Sequence, residues 1–402
     1  MPTYSVVWPS GQRRSNLSVI WNPSLDADAQ RWQEIAREAS ATHFAPLATE
    51  LDSTARYPWE SVKVLTDTGL AGMFVPEEYG GGGASLTALC ATLEEVAYGC
   101  AATCGILAVY LLGTMPFRLA GTPEQKERYL RPLATEGKGI SFGLTERGAG
   151  SDAGAITTTA LPEGEGFRIR GEKWFIGNGG ASETFIIFAK TDPEAGSRGI
   201  TAFVVDAKAE GVVVDTYLDK MGIRGTQTTN IKLDTWVPSD AMLGERGRGL
   251  SLALATLAVG RITLAGQALG ISRAAYDASA QRAVERFTFG RPIIDNQGIS
   301  FKLADMVTDI TTGRVLMYEA ARAWDAGEDT AMLGQVAKLH TSEASNRVVD
   351  AAVQIFGGDG FVRPTLVERL YRDQRATEIY EGTSEVIRMV IGREIKREWS
   401  TS

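Results

Sequence analysis

The spacing of hydrophobic positions changes twice along the chain and divides it into three parts. From 26 to about 136, apolar residues recur at helical spacing, with a Pro- and Gly-containing break over 76–83. From 139 to about 238, short runs rich in β-branched and aromatic residues alternate with Gly and Asp turns, a pattern typical of strands. Helical spacing then returns in four long segments, roughly 249–285, 297–326, 330–356 and 383–397.

This order of segments predicts an α+β chain that is mainly α. Four long helices with short connections favour an antiparallel bundle. We therefore expect an N-terminal extension over 1–25, an N-terminal helical domain over 26–137, a middle β-barrel-like domain over 138–240 and a C-terminal four-helix bundle over 241–402.

Composition excludes several classes of partner. The 402 residues are 44% hydrophobic and 22% charged, which is typical of a soluble globular protein. The net charge of −8 argues against nucleic acid or an anionic membrane as the main partner. The longest uncharged apolar run, 250–260, is too short to cross a bilayer. We expect neither nucleic acid nor membrane binding.

Cysteine and histidine are too sparse and too scattered for a metal site. His43 and His340 are far apart, and Cys90, Cys100 and Cys104 have no zinc-ligand spacing. Three unpatterned cysteines indicate a reducing compartment, so we expect a cytoplasmic protein rather than one of the mitochondrial matrix. Arg13 and Arg14 precede the first acidic residue, but no apolar stretch of adequate length follows, so 1–25 is interpreted as an extension lying on the body.

A polar stretch near the C-terminus carries an unusually placed carboxylate. Glu381 stands between Tyr380 and Gly382, where the glycine permits a sharp turn and Thr383 or Ser384 can cap the next helix. A carboxylate held at a rigid helix end can serve as a general base. A solvated Glu near the positive end of a helix explains the same pattern equally well.

Four further motifs contain glycine beside polar or aromatic residues. They are the turn 144–152, the aromatic strand and turn 173–179, the segment 286–290 followed by Gln297, and the segment 354–360. The first can face a flat carbonyl-bearing heterocycle or a phosphate through its backbone N–H groups. Taken singly, each also fits an ordinary turn, hairpin or helix C-terminus.

Together and in this order, the motifs resemble those of the acyl-CoA dehydrogenase family. The resemblance covers about 26–399, and its most specific parts are T-E-x-G-A-G-S-D, R-x-x-F-G, Q-I-F-G-G and I-Y-E-G-T-S. It implies an FAD enzyme that forms a homotetramer, arranged as a dimer of dimers.

The resemblance also implies a set of cofactor-binding residues. The turn 142–151 would line the isoalloxazine, with Thr145 at its pyrimidine edge, and Phe175 would flank the ring. Another group would bind the pyrophosphate and adenosine across a subunit boundary. The implied set is Phe142, Leu144, Thr145, Gly150, Ser151, Phe175, Ile176 and Gly177 for the ring, Arg286, Phe289, Gln297, Gln354, Gly357 and Gly358 for the remainder, and Thr383 and Glu385 completing the flavin site.

For catalysis, Glu381 matches the base of the short- and medium-chain branch. Another branch carries its base on the long apolar helix, where this chain has Gly260. Arg261 lies in the same helix and needs a hydrogen-bond acceptor, since a buried guanidinium is costly to desolvate. The Glu381 carboxylate would serve as that acceptor. Alternatively, Arg261 lies at the rim between two helices and extends its charged end to solvent. The substrate-binding residues implied are Ser151, Cys104, Ala108, Arg261, Tyr380, Gly382 and Arg393.

The implied reaction is α,β-dehydrogenation of an acyl thioester carried by CoA or by an acyl carrier protein. Glu381 would take the α-proton, the β-hydride would go to flavin N5, and an electron-transfer flavoprotein would receive the electrons. A flavin oxidase or monooxygenase on the same scaffold is one alternative, which the retained Glu381 opposes. A non-catalytic structural subunit is another, which the intact flavin motifs oppose.

Two departures from the family pattern and one row of small residues bear on specificity. Arg147 replaces the usual proline of the Gly-rich turn, and Gly177 replaces a Thr or Ser whose hydroxyl contacts flavin N5. Cys104, Gly105 and Ala108 put small groups close together on one helix. We expect this wall to leave room for medium-length, branched or cyclic acyl groups in preference to butyryl. The alternative is that Phe117 or residues of the 250–264 helix fill the gap and give a short-chain enzyme.

Overall fold

The regular apolar spacing of the first part of the chain produces helices packed around one another. The computed structural model describes residues 19–400, so the predicted extension lies largely outside the described residues. The helices are α1 Ala27–Ala39, α2 Ala45–Thr54, α3 Trp59–Asp67, α4 Leu86–Gly99, α5 Ala101–Ala120 and α6 Pro123–Glu136, with a π-helical turn at Ser40–Phe44. Thr122 and Gln125 form a capping box at the start of α6.

The middle part forms a mainly antiparallel sheet. Its strands are β1 Ile140–Gly143, β2 Thr159–Glu163, β3 Gly166–Gly177, β4 Thr184–Lys190, β5 Ile200–Asp206, β6 Val212–Tyr217, β7 Thr228–Pro238 and β8 Met242–Leu243. The order is β6-β7-β3-β2-β4-β5-β8, and β1 pairs in parallel with β4. A register shift between Lys173 and Ile176 marks a bulge where β3 pairs with β7. The sheet has its own small apolar core.

The last part is helical again and is organised by one long helix. The helices are α7 Gly249–Glu285, α8 Gln297–Asp325, α9 Ala331–Phe356, α10 Leu366–Gln374 and α11 Ser384–Ser400, with a short hairpin of β9 Phe287–Thr288 and β10 Arg291–Pro292 between α7 and α8. The 37 residues of α7 span about 55 Å. This helix contacts α4, α5, α8 and α9, so it joins the two helical parts of the molecule.

These elements confirm the predicted class, with an N-terminal helical domain, a middle sheet domain and a C-terminal helical domain. The elements that the sequence pattern does not predict include the strand β2, the short strands β8, β9 and β10, and the short helix α10. The runs 167–170 and 173–176 each predict a separate strand, but in the structure both belong to the single strand β3.

Among the helices within residues 19–400, two are long and apolar enough to cross a membrane. They are α5 and α7, and 67% of the apolar window of each is buried within the protein. The apolar part of α7 extends beyond the uncharged run 250–260, so the length of that run alone understates it. Core helices of soluble proteins share this length and composition, so the observation is weak support for a membrane span.

Candidate active site

Glu381 occupies a strained turn immediately before α11. Its φ is +57° and that of Gly382 is +104°, so two successive residues lie outside the conformations that L side chains prefer. Strain at a non-glycine residue is retained where the surrounding structure fixes it, and such positions cluster at functional sites. Thr383 Oγ1 accepts a hydrogen bond of 3.3 Å from the Val386 N–H and so caps α11, as the sequence suggested.

The Glu381 carboxylate lies directly against the backbone of α7. A Cβ atom at Gly260 would be 2.6 Å from Glu381 Oε2, so only glycine leaves room for the carboxylate there. Oε2 is buried and has no hydrogen-bond partner within residues 19–400. Burial raises the pKa of Glu381 to about 7, although Arg261 and Lys338 act in the opposite direction. The carboxyl group is therefore free to exchange a proton near neutral pH.

Two cationic side chains hold the backbone of this turn. Arg261 Nε donates to the carbonyl oxygen of Glu381 at 3.0 Å, and Lys338 Nζ donates to that of Gly382 at 2.7 Å. The expectation that Arg261 pairs with a carboxylate is therefore corrected, because its hydrogen bond goes to the carbonyl oxygen. Lys338 lies on α9 and was not singled out from the sequence, where one lysine in an amphipathic helix gives no distinctive signal.

Tyr380 connects the turn to the start of α5. Its hydroxyl donates to Gln267 Oε1, and Gln267 Nε2 donates to the Ala101 carbonyl oxygen at 3.4 Å. Burial, together with the neighbouring Glu381, raises the pKa of Tyr380. The hydroxyl therefore stays protonated and keeps its role as a donor.

One stripe of α5 borders the site. Between Ala101 and Phe117, every residue is buried except Gly105, Ala108, Val109 and Leu112. Their spacing of three and four residues puts them on one helix face. The stripe is entirely apolar, as a wall for a hydrocarbon group requires.

The stripe differs from the wall predicted from the sequence. Cys104 belongs to the core, because it is fully buried and its Sγ lies 3.5 Å from the Leu93 carbonyl oxygen. Val109 was not among the residues predicted for the wall, but it belongs to the partly exposed stripe. The space beside Gly105 is already used, since a Cβ there would lie 3.0 Å from Thr226 Cγ2. Of the small residues proposed, Ala108 remains in an open position.

The Gly-rich turn and the aromatic strand meet beside this stripe. Trp174 N–H donates to the Thr145 carbonyl oxygen at 2.8 Å, and Asn178 Nδ2 donates to the Ile106 carbonyl oxygen of α5 at 3.1 Å. A Cβ at Gly177 would lie 2.7 Å from Val109 Cγ2, so Val109 fills the space of a side chain at 177. The predicted flavin-facing turn, the strand β3 and the wall helix α5 thus converge.

A buried ion pair between Lys173 and Glu146 holds the Gly-rich turn in place. Lys173 Nζ lies 2.8 Å from Glu146 Oε1 and 3.1 Å from the Leu144 carbonyl oxygen. Glu146 also accepts from the Thr157 and Thr158 N–H groups. Burial tends to raise the pKa of Glu146, but the Lys173 charge and these hydrogen bonds outweigh it and lower the value to about 2. Glu146 lies in the motif 144–152 and Lys173 in the motif 173–179, but the sequence did not predict that they pair.

Phe175 lies at the bulge in β3, and its side chain is exposed. Its φ is +59° and 61% of its surface is exposed, an unfavourable arrangement for an aromatic residue. The preceding Trp174 lies under the Arg147 guanidinium, whose carbon is 5.3 Å from the ring centroid. Arg147 therefore covers Trp174. Ile176, assigned to the cofactor, is buried in the sheet core, so only its backbone can reach a ligand.

The residues predicted to bind the pyrophosphate and adenosine lie near the C-terminal end of α7, away from Glu381. An Arg282–Asp359 ion pair joins the end of α7 to the turn after α9. Phe289 is fully exposed at the tip of the β9–β10 hairpin, and no atom lies within 4 Å of a Cβ position at Gly357 or Gly358. Arg286, Gln297 and Gln354 are also exposed in this region.

One chain does not bring the two groups of cofactor residues together. Gly260 and Arg286 are separated by about 39 Å along α7. Glu385 and Arg393 are exposed on α11. Within residues 19–400, no group of three or more His, Cys, Asp or Glu side chains is placed to hold a metal ion.

Comparison with protein-family models gives matches over nearly the whole body of the chain. Residues 26–137 match the N-terminal domain of acyl-CoA dehydrogenases, 141–236 the middle domain and 247–396 the C-terminal domain.

Curated relatives cover the chain almost end to end. A 3-(aryl)acrylate reductase of Clostridium sporogenes is 44% identical, over 89% of this chain and 96% of the relative. The mitochondrial short-chain specific acyl-CoA dehydrogenase of Bos taurus is 39% identical, over 96% of this chain and 93% of the relative.

Solved structures have the same fold. Butyryl-CoA dehydrogenase of Megasphaera elsdenii superposes with a TM-score of 0.91 and 38% identity, covering 93% of this chain and all of that one. A chain solved in work on the electron transferring flavoprotein of Acidaminococcus fermentans gives a TM-score of 0.91 and 36% identity. The match covers 93% of this chain and 99% of that one.

Proposed function

The chain belongs to the acyl-CoA dehydrogenase family, and from that premise we propose that it removes hydrogen from the α and β carbons of an acyl thioester, with Glu381 as the base. It is an oxidoreductase acting on CH–CH bonds. The observation that carries the assignment of the base is that Glu381 Oε2 has no hydrogen-bond partner within residues 19–400 and is buried against Gly260 beside an apolar wall.

Glu381 suits this step because burial has raised its proton affinity. A carboxylate with an ordinary pKa would be a weak base toward the α-proton of a thioester, whereas a pKa of about 7 leaves it both ionised and basic near neutral pH. Arg261 and Lys338 fix the turn through carbonyl oxygens, so neither forms a hydrogen bond that would block the carboxylate.

The residues present fit FAD. No atom of residues 19–400 lies within 4 Å of a Cβ position at Gly148 or Gly150, so a flat ligand can approach this backbone, and Phe175 offers an exposed aromatic face. The 142–151 turn, Phe175 and Gly177 would hold the ring, while Arg286, Gln297, Gly357 and Gly358 of a second subunit would hold the phosphates and adenosine. When bound, FAD supplies the acceptor for the β-hydride.

The assembly follows from the same proposal. A homotetramer built as a dimer of dimers would bring together the two groups of residues that α7 separates within one chain. An electron-transfer flavoprotein is the proposed electron acceptor, supported by the structural likeness to a chain solved in work on such a flavoprotein.

A second candidate is the reverse reaction, reduction of a 2-enoyl group. The observation favouring it is the 44% identity to a 3-(aryl)acrylate reductase. The same site serves both directions, since a protonated Glu381 can return the α-proton. Assays with an acyl-CoA plus an artificial electron acceptor, and with an enoyl-CoA plus reduced dye, compare the two directions.

Glu381→Gln tests the assignment of the base. The amide keeps the shape but cannot accept a proton, so FAD should stay bound while turnover falls by at least the roughly 10²–10⁴-fold typical of general-base catalysis. Glu394→Gln, in an exposed ion pair on α11, is the control and should retain activity. Near-wild-type turnover in Glu381→Gln would refute the assignment.

The acyl group is tested with butyryl, isovaleryl, octanoyl and 3-phenylpropionyl thioesters. Because Thr226 fills the space beside Gly105, room for a larger group depends on Ala108, Val109 and Leu112. We still expect groups larger than butyryl to give higher kcat/KM, each buried methylene contributing about 0.8 kcal/mol. Butyryl as the best substrate would contradict the open wall.

A further inference from the structure

A lysine of α9 lies buried beneath the turn that carries Glu381. Lys338 has 0% of its surface exposed, and its Nζ donates to the Gly382 carbonyl oxygen at 2.7 Å. Burying an ammonium group is unfavourable unless it is paired and hydrogen-bonded. Here the ammonium group donates to a backbone oxygen rather than to the nearby carboxylate.

The arrangement gives each cation one carbonyl of the strained turn. Arg261 approaches from α7 and binds the Glu381 carbonyl oxygen, whereas Lys338 approaches from α9 and binds the next one. The two left-handed residues are thereby fixed from two independent helices. The carboxylate, whose Oε2 has no partner within residues 19–400, is left available.

We propose that Lys338 is a positioning residue for the base: it anchors the Glu381–Gly382 turn through the Gly382 carbonyl oxygen, and its charge favours the ionised form of the Glu381 carboxylate without occupying it. The proposal rests on the proposed function, since it presupposes that Glu381 exchanges a proton with substrate. It adds a residue to that site which no sequence motif indicated.

The electrostatics around Lys338 agree with this role. Burial lowers the pKa of Lys338 to about 8, Arg261 acts in the same direction, and Glu381, Glu378 and Glu343 oppose it. Glu381 is faced by Arg261 of α7 and Lys338 of α9, and by Tyr380 beside it. Arg261 stays charged at all working pH values, so Lys338 is the cation of the two that can lose its charge under mildly alkaline conditions.

The experiment compares three substitutions in the flavin-bound enzyme. Lys338→Met removes charge and donor, Lys338→Gln removes the charge but keeps a donor for the Gly382 carbonyl oxygen, and Lys338→Arg keeps the charge. The readout is the midpoint of the rising limb of kcat/KM against pH. Lys63→Met, which breaks an exposed ion pair with Asp67, controls for loss of a lysine elsewhere.

The neutral variants should move this midpoint upward by about one unit, since the loss of a nearby opposite charge makes the carboxylate harder to ionise. Lys338→Arg and Lys63→Met should leave it in place. Lys338→Met should in addition lower kcat more than Lys338→Gln does, because it also releases the turn. Flavin content and unfolding transitions are recorded for every variant.

An unmoved midpoint in Lys338→Gln overturns the proposal, and so does an equal shift in Lys338→Arg, because the charge would then not be the cause. If Lys338→Met does not fold, the Gln and Arg variants alone decide the question. Infrared difference spectra of the carboxyl stretch, with Glu381→Gln as the blank, give the same midpoint without turnover. An active Glu381→Gln enzyme would instead refute the proposed function itself.

Discussion

At Gly260 a single hydrogen atom takes the place of a side chain so that the Glu381 carboxylate can fit. Gly260→Ala should push the carboxylate away, because the new Cβ would lie 2.6 Å from Oε2. Misplacing a catalytic group by about 1 Å can cost about 10²-fold in rate, so we expect a fall in kcat of that order. Steady-state kinetics with measured flavin content would show it.

The control for this substitution is Gly392→Ala on α11, where no atom lies within 4 Å of the Cβ position. Both changes put alanine into a helix, which favours helix formation by about 1 kcal/mol. Unaltered kinetics in both variants would mean that the carboxylate is not confined by α7.

Glu381 should also make the protein less stable as the pH rises. Its folded pKa of about 7 lies above the usual value of 4.5, so the folded state binds the proton more tightly than the unfolded state. The resulting stabilisation is fully present below about pH 4.5 and is lost as the pH rises through about 7.

Glu381→Gln removes this dependence. The variant should gain up to about 3 kcal/mol of unfolding free energy relative to wild type between about pH 5 and pH 8. Chemical unfolding of both proteins at several pH values measures the difference. A difference that stays constant with pH would show that the carboxyl group titrates normally in the folded protein.

The residues of the site were visible in the sequence to unequal degrees. Glu381 and Gly260 followed from a motif and from the alternative base position of a related branch, and the structure puts them in contact. Lys338 was not recognisable, since its importance lies in one hydrogen bond to a carbonyl oxygen 44 residues away. Charged residues that serve the backbone of a distant turn leave no local pattern.

Among the elements, α5 and β3 are matched where Val109 meets Gly177. Gly177→Thr alone should be destabilising by about 1–3 kcal/mol, because its Cβ would lie 2.7 Å from Val109 Cγ2. Val109→Ala should relieve the clash, so the double variant should be more stable than the sum of the two changes predicts. The unfolding free energies of the wild type, the two single variants and the double variant, combined in a double-mutant cycle, measure this interaction.

Additive free energies would contradict this contact. The double variant also puts a hydroxyl where the family resemblance implies a contact with flavin N5, so its redox titration tests that expectation without overpacking. The sequence showed the missing hydroxyl but not the valine that fills its place.

Elements were predictable where burial follows a regular apolar pattern. The long helices α7, α8 and α9 have such a pattern and lie close to their predicted bounds. The helix α10 was missed because Arg369, Arg372 and Asp373 are among its buried residues, so its inward face looks polar in the sequence. Arg372 pairs there with Asp52 of α2, a contact that only the tertiary structure supplies.

At the scale of the whole molecule, the proposed cofactor site needs residues from two chains. Arg286→Ala should weaken FAD binding enough to leave the variant inactive when no FAD is added to the assay, and Glu381→Gln should abolish turnover with FAD bound. When the two inactive variants are unfolded and reassembled together, a mixed pair contains one site with both native residues. Activity should therefore reappear in the mixture.

Each variant reassembled alone is the control and should remain inactive. The absence of any recovery, in a mixture shown by mass spectrometry to contain both chains, would mean that Arg286 and Glu381 serve the same subunit's site. The distance of about 39 Å along α7 is the reason to expect recovery.

The continuous helix α7 also constrains how the gene can change. Inserting one residue between Gly260 and Arg286 would advance one end by about 1.5 Å and rotate it by about 100° relative to the other. A change in the length of this stretch would therefore disrupt both ends at once. Insertions are better accommodated between the exposed residues Gly164 and Glu165 in the turn that joins β2 to β3, which makes that turn the preferred place for a peptide tag or fluorescent label.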